Sequence, residues 1–93
     1  MTENESEIML ILQEECAETI QAVSKCFRFG AQQTKPGLSK NNIEHLEEEL
    51  GDLLAMIELL TECNIGISIE GLNAAKIAKF TKLRKWSNIE IKD

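Results

Sequence analysis

Apolar residues recur every three or four positions through the first third of the chain, as Met9, Leu12, Cys16, Ile20, Val23 and Phe27. That spacing holds one face of an α-helix for about five turns at about 3.6 residues per turn. A second apolar line, through Ile8, Ile11, Leu12 and Ala22, runs beside it and carries Glu15 and Glu18. A helix that is apolar over most of its circumference asks for burial on two sides. In a chain of 93 residues, near the lower end of what buries an adequate core alone, the remaining segments can hardly supply both.

The helical period resumes after one loop. Residues 31–40 hold the single proline and a Gln32-Gln33-Thr34-Lys35-Pro36-Gly37 run, which reads as a connector; a flap at the edge of a site is the alternative. Thr2 or Asn4 can cap the first helix, which Lys25, Arg28, Phe29 and Gly30 close. Ser39, Asn41 or Asn42 caps a second helix running to about Cys63, with a core stripe of Ile43, Leu46, Leu50, Leu53, Ile57 and Leu60. Gly51 inside it costs about 1 kcal/mol relative to Ala, and marks either a close backbone approach or a tolerated surface position. Asn64-Ile65-Gly66 makes a turn, and Ser68 caps a third helix from about Ile69 to Trp86. Its stripe of Ile69, Asn73, Lys76, Ile77, Phe80, Leu83 and Arg84 is expected to face inward. The expected fold is all-α: residues 1–93 as one domain, with three main helices per chain forming a bundle that dimerisation completes.

The net charge of −6 is unevenly spread: residues 1–70 carry 14 acids and four bases, residues 71–93 two acids and six bases. A nucleic-acid-binding domain would show a dominant basic face, so none is expected. No segment is long and apolar enough to span a bilayer, and the run Ile8–Leu12 is too short for a secretory signal. Cys16, Cys26 and Cys63 are odd in number, lack CxxC spacing and fall at or beside apolar stripes. They read as buried free thiols in a reducing compartment, and the expected location is the cytoplasm.

Four acids stand out from the rest. Glu15 and Glu18 lie three apart on the first helix, among Ile8, Ile11, Leu12, Ala22 and Phe29. Glu49 and Asp52 lie three apart on the second, among Leu46, Leu53, Ala55, Met56 and Leu59. Glu44, Glu48, Glu58 and Glu62 trace a wetter side. Carboxylates are seldom buried unless paired or bound to a metal, and no base interleaves these motifs. Crowded carboxylates either raise one another's pKa or recruit a cation. Oxygen-only donors point to a hard ion, Mg²⁺ or Mn²⁺, and one or two such ions could act on a polyphosphate. His45 is a lone residue, and position 42 is Asn rather than Glu, so the Glu-x-x-His pair of di-iron bundles is absent.

The pattern Glu14-Glu15-x-x-Glu18 followed by Glu49-x-x-Asp52 resembles the signature of the MazG-like, all-α nucleoside triphosphate pyrophosphohydrolases. Lys25 with Arg28-Phe29-Gly30, and Glu48-Glu49-Leu50-Gly51-Asp52-Leu53-Leu54, are similar to the family's wording as well. The resemblance covers roughly residues 8–86. It implies cleavage of a nucleoside triphosphate between the α and β phosphates, giving a nucleoside monophosphate and pyrophosphate. By that match Glu15, Glu18, Glu49 and Asp52 are the catalytic Mg²⁺ ligands, and Glu14 plays a supporting part. The thirty residues between Glu18 and Glu49 stand at the long end of the family's spacing. A fourth helix is missing from the chain, so the family's four-helix core implies a homodimer or a dimer of dimers.

Lys25 and Arg28 are implied phosphate contacts, with Lys76. Asn42 either caps a helix or reaches the substrate. Asn73, Lys76 and Arg84 are either snorkelling stems or phosphate ligands. The rival readings are a non-enzymatic helical interaction module and a family relative that has lost activity.

Overall fold

The computed structural model describes residues 1–92; Asp93, the last residue of the expected domain, lies outside them. The described residues form three helices, α1 (Glu3–Phe29), α2 (Asn42–Thr61) and α3 (Ile69–Trp86), and no strand. Thr2 and Glu5 form a capping box at the start of α1: the Thr2 hydroxyl accepts the Glu5 N–H at 3.1 Å, and Glu5 Oε1 accepts the Thr2 N–H at 2.9 Å. The other Glu5 oxygen accepts the Asn64 N–H at 3.2 Å, tying the start of α1 to the turn after α2. Glu5 is thus buried but satisfied. The Thr2 N–H holds its carboxyl below the usual value, against the opposing effect of burial. At the other end Gly30, with φ 95°, donates to the Cys26 carbonyl and stops the helix in a backbone region that favours glycine.

Of the three residues able to cap α2, Asn41 does so, in a reciprocal box with Glu44. Asn42 becomes the first helical residue, and its amide donates to the Gly30 carbonyl at 2.9 Å. Ser68 caps α3 by accepting the Gly71 N–H at 3.0 Å.

α1 and α2 pack along each other, and the buried residues among those described, Glu5, Ile8, Ala22, Glu49 and Leu60, all lie on these two helices. The face of α1 turned to α2 is the line that carries Glu15. The longer stripe faces away, with Ile20 70% and Phe27 86% exposed. α2 can cover only one side of α1, and α3 supplies no second cover. No residue of α3 is buried, and of its expected inward stripe only Leu83 is half-buried. The thiols follow the same logic: Cys16 is exposed, while Cys26 and Cys63 are half-buried, and all are free. No heavy atom comes near the Gly51 Cβ position, so within the chain this glycine is a tolerated surface residue. The molecule extends over 44 × 38 × 17 Å, with a radius of gyration of 16.2 Å against about 12 Å for a compact chain of this length.

Candidate metal centre

Packing the Glu15 line of α1 against α2 brings three of the four singled-out carboxylates together. Glu15, Glu18 and Glu49 each offer an oxygen, and these oxygens all lie within 4.8 Å of one another. Glu49 is buried, Glu15 half-buried and Glu18 exposed, so the group opens to solvent on one side. Glu15 Oε2 and Glu49 Oε2 are buried and have no hydrogen-bond partner. Orphaned carboxylate oxygens are expensive unless a proton or a cation meets them. Burial, first, and then Glu18, Glu15 and Asp52 push the Glu49 carboxyl up to about 7. Burial, then Glu18 and Asp52, also raise Glu15. The donor set is all oxygen, anionic and incompletely satisfied, which fits a hard divalent cation.

Asp52 is exposed and its oxygens fall outside the three-residue group, yet its charge is felt by both Glu15 and Glu49. Glu14 is exposed and touches the group only through its charge on Glu15. An open cleft of about 270 Å³ runs on from the carboxylates, lined by Glu18, Gln21, Ala22, Lys25, His45 and Glu49. Lys25 therefore reaches the cleft. Arg28 does not line it; its guanidinium sits 4.9 Å from the Phe29 ring centroid. The Asn42 amide is engaged with Gly30, and the residue lines neighbouring cavities rather than this one. Asn73, Lys76 and Arg84 are exposed on α3, and none lines the cleft.

Two cleft residues escape a search for carboxylate motifs. His45 Nε2 stands 3.8 Å from Glu49 Oε1, and its signal was the i, i+4 spacing to Glu49. Gln21 follows Glu18 by three residues and so shares its face.

A paired acidic motif on two packed helices, joined at a cleft that also holds a lysine, is the arrangement the MazG-like resemblance implies. The family model described as the MazG nucleotide pyrophosphohydrolase domain matches residues 3–87, nearly the whole chain. No curated protein and no solved structure matches it. The span takes in all three helices and both carboxylate pairs, and by it the chain belongs to the MazG nucleotide pyrophosphohydrolase family.

Proposed function

We propose that this chain is a Mg²⁺-dependent hydrolase, with Mn²⁺ as a substitute, that converts nucleoside or deoxynucleoside triphosphates to the monophosphate and pyrophosphate. Its role would be nucleotide-pool housecleaning in the cytoplasm. The observation that carries this reading is the meeting of Glu15, Glu18 and Glu49 with two buried, unpartnered oxygens. These three would hold the cation, with Asp52 completing the set. When bound, the cation neutralises phosphate charge and makes a nearby water more acidic. Without the cation, burial and then the neighbouring Glu18, Glu15 and Asp52 hold the Glu49 carboxyl up at about 7. Lys25, which lines the cleft, would orient the phosphates. The net reaction adds one water across the α–β anhydride: an oxygen–phosphorus bond forms, the bridging bond breaks, and pyrophosphate leaves with the electron pair.

Assembly is part of the proposal. The chain exposes 7514 Å², whereas a compact monomer of 10.5 kDa exposes about 5,400 Å². The surplus of about 2,000 Å² matches what one partner gives up in an obligate dimer. The outward stripe of α1, Leu54 on α2, and Ile69 and Ile77 on α3 are the apolar surface available to cover. A homodimer, or a dimer of dimers, would bring the partner's α3, with Asn73, Lys76 and Arg84, within reach of the nucleotide.

The test is pyrophosphate release across a panel of nucleoside triphosphates with Mg²⁺ and Mn²⁺. Wild type turns over at least one of them, and Glu49→Gln loses activity by about a hundredfold or more. Cation binding without turnover would identify a relative that has lost activity. Neither binding nor turnover would leave a helical interaction module.

A further inference from the structure

Beside the carboxylate cleft, α1, α2 and the loop between them enclose a second open cavity of about 280 Å³. Lys25 from α1, Lys35 and Lys40 from the loop, and Asn42 and His45 from α2 line it, and no carboxylate does. That is against the charge of the molecule, which has 16 acids and ten bases. Only four bases precede residue 71, and three of them stand around this one cavity. The side-chain ammonium groups of Lys25 and Lys35 make no ion pair or hydrogen bond among the described residues. Lys40 pairs with Glu48, but the two side chains are 55% and 49% exposed, so solvent screens the pair and Lys40 can change partners at little cost.

The loop is held in shape rather than left as a tether. Thr34 bridges to Asn41, the Asn41 amide donates to Gln32 Oε1 at 3.1 Å, and a turn closes with Leu38 N–H donating to the Lys35 carbonyl at 3.0 Å. These contacts fix where Lys35 and Lys40 stand relative to α2. The N–H groups of the first turn of α2 are already satisfied, by its capping box and by the Gln33 and Ala31 carbonyls, so the ammonium groups, not the helix end, give the cavity its sign. Lys25 and His45 also line the carboxylate cleft, so the two spaces adjoin.

We propose that Lys35 and Lys40, together with Lys25, form an anion subsite for the phosphates of a polyphosphate chain that extend past the carboxylate group. Three ammonium donors around one opening suit an extended polyanion with many equivalent oxygens. The proposal rests on the hydrolase reading only for the natural source of those phosphates: the tail of a nucleoside triphosphate or the pyrophosphate released from it. It gives the long spacing between Glu18 and Glu49 a purpose, since the loop that fills it carries two of the three lysines.

Calorimetric titration of the full chain with inorganic tripolyphosphate, in metal-free buffer at low salt, tests this directly. Wild type binds saturably. Lys35→Ala and Lys25→Ala each weaken binding about fivefold, and Lys35→Glu weakens it further. Glu48→Gln, which releases Lys40, tightens it, whereas Lys79→Ala on α3 leaves it unchanged. Absence of saturable binding, or an equal loss in Lys79→Ala, would overturn the subsite, and an unchanged affinity in Glu48→Gln would remove Lys40 from it. In turnover assays Lys35→Ala raises KM with kcat nearly unaltered. A chain that binds tripolyphosphate through Lys35 yet hydrolyses nothing sinks the hydrolase reading alone. A chain that hydrolyses nucleotides with an affinity indifferent to Lys35 sinks the subsite alone.

Discussion

α2 and α3 are similar in length, 20 and 18 residues, and each starts at a side-chain cap. Both carry apolar residues at helical spacing, yet only α2 has buried side chains. Local sequence suffices to make a helix; burial decides what it is for. The α1–α2 seam encloses carboxylates as well as Ile8, Ala22 and Leu60, and carboxylates weaken a seam unless something neutralises them. α3 leaves its basic residues exposed, and of its apolar residues only Leu83 is half-buried. Under the proposed function the first region would receive a cation, and the second another surface.

Truncation at one site in each helix puts the sharpest strain on that contrast. Leu60→Ala removes a buried side chain from the seam and should cost about 3 kcal/mol in urea unfolding. Ile77→Ala, on the exposed face of α3, should change the stability of an isolated chain by no more than about 0.5 kcal/mol. If association covers α3, the cost of Ile77→Ala grows with protein concentration. Equal, concentration-independent costs at the two sites would abolish the distinction.

Cation and proton should next compete for the seam. Glu49 has an ordinary value of 4.5 and stands at about 7 in the fold, so between these pH values the folded state binds the extra proton. The stability this confers is complete below 4.5 and is lost as pH rises through about 7. Glu15, also raised, works in the same direction. Glu5 and Glu48 are lowered, and their stabilisation is lost only as pH falls below their ordinary value of 4.5. The metal-free protein should therefore melt at falling temperature from pH 5 to pH 8. Saturating Mg²⁺ should raise Tm at pH 8 by on the order of 10 °C and do little at pH 5, where protons hold the oxygens. In Glu49→Gln both the pH slope and the Mg²⁺ response should shrink. A Mg²⁺ response equal at the two pH values would mean the ion binds elsewhere.

Much of this was legible in the residues. Three-and-four spacing located all three helices, and Ser68, Gly30 and the Asn41–Asn42 pair marked their ends because caps are local chemistry. Shared helical faces lead to the expectation that Glu15, Glu18, Glu49 and Asp52 converge; the first three meet, and Asp52 stands outside the group. Which of α1's two apolar stripes would meet α2 was not legible, because periodicity fixes a face and not its neighbour. Both stripes ask for burial, and within the chain the longer one stays largely exposed. The place of α3 was hidden for the same reason: its line of Ile69, Ile77 and Leu83 promises burial without saying in which chain. The cavity beside the cleft was hidden too, since Lys25, Lys35 and Lys40 come together only through the Thr34–Asn41 bridge, for which the sequence has no periodic signal.

The smallest expected difference lies in the caps, and it probes the contrast at its most local. Asn41 caps α2, and it also anchors the loop through Gln32 and the bridge to Thr34. Asn41→Ala should therefore cost at least the ordinary loss for a cap, about 1 kcal/mol, in global unfolding. Ser68 has one task, accepting the Gly71 N–H. With α3 unburied, Ser68→Ala should fray that helix without moving the urea midpoint, and appear instead as faster amide exchange near its start. The two cap variants thus report whether α3 unfolds with the α1–α2 pair or apart from it. Were Ser68→Ala to lower the midpoint as much as Asn41→Ala, α3 would be cooperative with the seam, and in a chain that packs it so little the coupling would have to run through a second copy.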